Sequence, residues 1–71
     1  MTLRERRDQL GCTQIYLAGV ARVAPNLLSF MERQRFLASL SQAKRICEVL
    51  ECEVEDIAEF SHLVKDTADA T

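Results

Sequence analysis

The stretch RVAPNLLSFMER, residues 22–33, places a proline inside what is otherwise one continuous helical pattern from Thr13 to Arg33. Proline has no N–H and a φ already set for the first turn of a helix, and it pushes the residue before it into extended geometry. Pro25 therefore predicts a break at Ala24 and a new helix over residues 25–33. Ala24 becomes the residue that precedes this helix, where its methyl group cannot accept a hydrogen bond from the early N–H groups as Ser or Asn would. Leu28 and Met31, three residues apart, turn inward. Asn26, Leu27, Ser29, Phe30 and Arg33 lie nearer the outer face.

Working outward, a first helix is expected from Thr2 to Leu10, with Leu3 and Leu10 a heptad apart on one face and Gly11 as its stop. Thr13 caps a short second helix whose apolar side is Ile15, Leu17, Ala18 and Ala21. The run RQRFLA, residues 33–38, has no helical period and reads as a loop. Ser39 with Gln42 forms a capping box for a fourth helix with a stripe of Leu40, Ala43, Ile46, Cys47 and Leu50. A fifth helix, about Val54 to Phe60, turns Val54, Ile57 and Ala58 inward and carries acids in its first turn. The tail, residues 61–71, is polar beyond Val64 and is expected to fray or to accompany a dimer contact. The reading is an all-α, compact five-helix domain over residues 1–60.

The chain has 71 residues, 48% of them hydrophobic, with two glycines and one proline. One small domain follows, helix-rich, too small for an enclosed catalytic cavity, and not disordered. No apolar run approaches the roughly 20 residues that a bilayer requires, and the first residues are charged, so the cytoplasm is the expected location. The net charge of −2 conceals a division. Residues 1–45 hold eight basic against three acidic groups, a balance of +5; residues 46–71 hold one lysine against eight acids, a balance of −7. Such asymmetry, where it is not chance segregation in a short chain, points to a polyanionic partner for the basic half.

Two short helices joined by a tight turn, the second opening on an exposed face, are the elements of a helix-turn-helix. The run LRERRDQLGCTQIYLAGVARVAPNLLSFMERQR, residues 3–35, resembles the phage repressor and Cro type of that motif, the XRE family. The pieces that carry the resemblance are Leu3 and Arg7 before Gly11, Thr13-Gln14, Leu17-Ala18, Val23, Leu28, Ser29, Met31, Glu32 and Arg33, then Arg45-Ile46 leading to Leu50. It implies a repressor-like fold and a sequence-specific DNA-binding transcriptional regulator, a repressor that acts on duplex DNA as a homodimer. Gln14 would bind a phosphate at the start of the second helix. The positions of Ala24, Pro25, Asn26, Ser29 and Phe30 would face the major groove, and Arg7 and Glu32 would form an ion pair tying the first helix to the third. This chain departs from the family pattern at Arg22 and Gln34, where glycine is usual, at Ala24, where a capping residue is usual, and at Arg6, where an aliphatic is usual.

The side chains suit such a role. Asn26 can make a bidentate contact to adenine, Ser29 can bond to several base edges, and Leu27 or Phe30 can touch thymine methyls. Arg22, Arg33, Arg35 and Lys44 can neutralise phosphates around the helix. Phe30 has two other readings, a protein-binding patch or a core position. With Leu27 it defines the alternative function, a domain of the same fold that docks another regulator or a toxin. Phe60, Leu63 and Val64 are candidates for a symmetric dimer contact. Cys12, Cys47, Cys52 and His62 nominally make a Cys₃His set, but no C-x₂-C pair exists, so the cysteines read as small core residues and no metal or cofactor is expected. A single histidine and no glycine-rich loop or triad argue against an enzyme.

Overall fold

The computed structural model describes residues 1–64, which are helical and contain no strand. Four α-helices come first: α1 Leu3–Gln9, α2 Gln14–Ala21, α3 Pro25–Glu32 and α4 Leu40–Leu50. Each start has a local cause. The Thr2 hydroxyl accepts from the Glu5 N–H at 3.1 Å while the Glu5 carboxylate accepts from the Thr2 N–H at 2.7 Å. Ser39 and Gln42 make the same reciprocal box on α4, at 3.0 and 3.2 Å. The Thr13 hydroxyl accepts from Tyr16 N–H. Ala24 is extended before Pro25, and α3 has no side-chain cap.

All four helices end in the same way. A residue with positive φ follows, namely Gly11 at 66°, Arg22 at 60°, Gln34 at 60° and Glu51 at 54°. The next N–H closes back on the carbonyl five residues earlier, in the pairs Cys12 to Arg7, Val23 to Ala18, Arg35 to Phe30 and Cys52 to Cys47, at 2.8–3.1 Å. Only Gly11 reaches this left-handed geometry without a side-chain penalty. Arg22 and Gln34, the departures from the family pattern, keep the backbone shape that glycine would favour.

Two arginines complete other helix ends. Arg6 donates from Nε to the Leu50 carbonyl at 2.9 Å and from Nη2 to the Glu51 carbonyl at 3.2 Å, and Arg45 donates from Nε to the Ala21 carbonyl at 2.9 Å. These carbonyls lie at the C-terminal ends of α4 and α2, where intrahelical partners run out and positive charge suits the dipole. The largest fully buried side chains are Leu3, Leu17, Leu28, Met31, Ile46, Leu50, Ile57 and Phe60.

Several expectations change. The fifth helix is two 3₁₀ turns, Val54–Asp56 and Ala58–Phe60, followed by helical residues 61–64. Asp56 accepts from the Glu53 N–H at 3.0 Å and closes the first turn, and Ile57 is extended, so the helical phase is reset between them. Ala58 consequently faces out; its N–H donates to the Met1 carbonyl at 2.8 Å. Leu10, Ile15 and Leu40 are exposed rather than inward. Leu10 follows the last turn of α1, Ile15 lies across the helix from the buried Leu17, and Leu40 occupies the first position of α4, beyond the packed turns. Phe60 is fully buried, so it is part of the core and not available for a dimer contact. The expected fraying beyond Val64 lies outside the described residues.

Candidate nucleic-acid interface

Helix α3 turns Leu28 and Met31 into the core and presents Pro25, Asn26 and Phe30 to solvent, with Ser29 half-buried between them. Successive residues are about 100° apart, so Pro25, Asn26, Ser29, Phe30 and Arg33 share one outward arc. Phe30 is 41% exposed and does not take a core position. Leu27 is half-buried and packs against the core, which reduces the expected Leu27 and Phe30 patch mainly to the Phe30 ring. Ala24 is exposed, and with no side-chain cap the first N–H groups of α3 stay open to an external acceptor.

The helix is fixed from behind by a buried charge cluster. Arg7 on α1 donates to Glu32 on α3 through Nε at 3.0 Å and Nη2 at 3.2 Å, and its Nη1 donates to the Cys12 carbonyl at 2.9 Å. The Arg7 and Glu32 side chains are only 12% and 8% exposed. The hydrogen bonds to Glu32 raise the Arg7 pKa above its ordinary value, against the opposing effect of burial. Gln14, the first residue of α2, adds a third donor, with Nε2 3.2 Å from Glu32 Oε1. One amide hydrogen of Gln14 is thereby used and the other stays available. Arg7, Gln14, Ser29, Glu32 and Arg33 line a polar cleft of about 480 Å³ with Arg4 and Asp8.

The basic half of the sequence separates into two groups. Arg6, Arg7 and Arg45 serve the fold, and Arg4 lies 3.9 Å from Asp8 in an exposed pair. Among the described residues, Arg22, Arg33, Arg35 and Lys44 have no ion-pair partner and are exposed. Arg22 stands just before α3, and Arg33 and Arg35 just after it. Lys44 is on α4 at a different cleft, shared with Glu48, Glu53 and Glu55, so the structure does not group it with Gln14 and Arg33. Sequence reasoning missed the anchoring roles of Arg6 and Arg45. The signal available was a basic residue in otherwise apolar-periodic surroundings, but its carbonyl partners come from elements more than 20 residues away.

Cys12, Cys47, Cys52 and His62 do not come together as one set. His62 Nε2 is 2.8 Å from the Ala38 carbonyl, and the Cys12 thiol faces the Thr13 carbonyl. Cys47 is buried, its thiol pushed up to about 12 by desolvation first and then by Cys52 and nearby carboxylates. Among the described residues no group of three or more His, Cys, Asp or Glu side chains could hold a metal ion, and no helix is long and apolar enough to cross a membrane.

Comparison with known proteins agrees with this architecture. No curated protein and no solved structure matches the chain. A family model described as helix-turn-helix matches residues 3–57, from the first residue of α1 to the extended Ile57. With most of its length covered, the chain belongs to the XRE-type helix-turn-helix family of DNA-binding transcriptional regulators.

Proposed function

We propose that this protein binds duplex DNA sequence-specifically as a homodimer in the cytoplasm, with α3 in the major groove, and represses transcription by occupying an operator. The observation that carries the reading is the exposed arc of α3 flanked at both ends by arginines that have no ion-pair partner among the described residues. Eight residues of helix span about 12 Å, close to the width of the major groove. Arg22 at one end and Arg33 and Arg35 at the other are thus spaced to reach phosphates on opposite sides of the groove. Ala24, Pro25, Asn26, Ser29 and Phe30 then meet base edges, Asn26 through a bidentate contact to adenine and Phe30 through thymine methyls. Gln14 uses its remaining amide hydrogen on a phosphate.

A second copy supplies the second half-site. Leu63 and Val64 border a cleft with an acidic rim, where two identical chains would set like charges against each other. The outer face of α2 suits self-association better: the helix has no charged residue, and Ile15, Tyr16 and Val20 are exposed on it. The test is the salt dependence of binding to a selected duplex. Affinity falls steeply with salt, and Arg33→Ala and Arg35→Ala each flatten the log–log slope by about one unit per site. A protein-docking domain would instead show little salt response and depend on Phe30.

A further inference from the structure

Away from α3, a cleft of about 560 Å³ runs between α4 and the segment 52–64. That volume lies within the about 300–1,000 Å³ typical of binding clefts. Its walls are apolar, formed by Leu40, Cys47, Cys52, Val54 and Leu63. Part of the floor comes from the way α4 ends. The N–H of Cys52 closes on the Cys47 carbonyl at 3.1 Å, which brings these two side chains together in the position where such helix ends carry a hydrophobic contact. The rim is acidic: Glu48, Glu53 and Glu55 all border the cleft, are exposed and, among the described residues, are in no ion pair. Residues 46–64 hold six carboxylates and no lysine or arginine, while Lys44 stands at one end of the cleft.

An apolar floor inside a ring of carboxylates selects its occupant by charge. Nucleic acid is repelled, and a second copy of this face would set the three rim carboxylates of one chain against the same three of the other. We infer that the cleft between α4 and residues 52–64 docks a basic amphipathic helix from another protein, apolar side chains seated on Cys47, Cys52, Val54 and Leu63 and lysines or arginines meeting Glu48, Glu53 and Glu55. This is helix-in-groove recognition, in which area comes from the apolar stripe and partner choice from the rim. The surface is separate from the exposed arc of α3 and stays usable whether or not α3 is engaged.

The full chain, labelled with ¹⁵N, is titrated with a model amphipathic helix built from leucine and lysine, and with a counterpart in which glutamate replaces every lysine. The lysine peptide is expected to shift the amide signals of Cys52, Val54 and Leu63 and to slow alkylation of the Cys52 thiol. Glu48→Lys combined with Glu55→Lys, both at exposed positions, weakens binding by about tenfold. Leu40→Lys, also exposed, weakens it while leaving the fold intact. Equal binding of the glutamate peptide, or shifts confined to other surfaces, overturns the inference. So do groove signals that move with protein concentration alone, which would identify a second copy as the occupant.

Discussion

Arg7 and Glu32, 25 residues apart in sequence, meet through two hydrogen bonds of 3.0 and 3.2 Å and join α1 to the end of α3 with almost no solvent contact. Removing one partner strands the other charge. Glu32→Ala is expected to cost about 3–5 kcal/mol, while the double substitution Arg7→Met with Glu32→Leu recovers a large part of that loss. Urea denaturation of the three proteins measures both values. A double variant at least as destabilised as Glu32→Ala would contradict a coupled pair.

The left-handed helix ends give a prediction of opposite sign. Gln34→Gly and Glu51→Gly remove a side chain from a φ of 60° and 54° without touching the backbone hydrogen bonds there. Each is expected to raise stability by about 1 kcal/mol, net of the extra freedom glycine gives the unfolded chain. Thermal melts show this as an upward shift in Tm.

Arg45 binds the Ala21 carbonyl with a charged donor across more than one helix. Arg45→Met keeps much of the apolar stem and removes the donor. A loss of about 1.5–3 kcal/mol is expected, without a change in the salt slope of DNA binding, because the half-buried guanidinium is engaged by the Ala21 carbonyl and the Ser41 hydroxyl.

Cys47 gives a pH dependence. Its folded thiol is held at about 12, above the ordinary 9.0 of a free thiol, so the folded state holds this proton more tightly than the unfolded chain does. The associated stability is complete below pH 9 and is lost as pH rises from there toward 12. Cys47→Ala is expected to flatten the alkaline limb of the stability profile. In the folded wild-type protein at neutral pH, Cys47 is expected to alkylate far more slowly than the half-exposed Cys12.

The outer face of α2 makes the proposed homodimer testable separately from the fold. Ile15 is 76% exposed, so Ile15→Glu leaves the core untouched. Sedimentation is expected to show monomer at concentrations where the wild type is dimeric, with a large loss of operator affinity because the two half-sites are no longer linked.

Much of this fold is legible in the sequence where a single local rule decides the structure. Pro25 fixes the start of α3, Ser39 with Gln42 fixes the start of α4, and the spacing of Ala43, Ile46, Cys47 and Leu50 fixes its buried face. Legibility fails where periodicity carries no information. Every residue of α2 except Gln14 is apolar, glycine or tyrosine, so the pattern cannot say that Ile15 faces out while Leu17 faces in. It fails again beyond residue 52, where Asp56 ends one 3₁₀ turn and Ile57 resets the phase, carrying Phe60 into the core and Ala58 to the surface. The outward arc of α3 follows from Leu28 and Met31 being inward. Which arginines are free to meet DNA does not, because Arg6 and Arg45 are claimed by carbonyls that only the tertiary fold brings near.

The exposed arc of α3 is proposed to read base sequence. This reading is tested most directly by selection from a random duplex DNA pool at near-physiological salt, followed by sequencing of what the purified protein retains. A two-fold symmetric motif with half-sites about 10 bp apart, centre to centre, is expected, and its loss in Asn26→Ala and Ser29→Ala variants that still fold. Retention without any motif, or a motif unchanged in those variants, would contradict it.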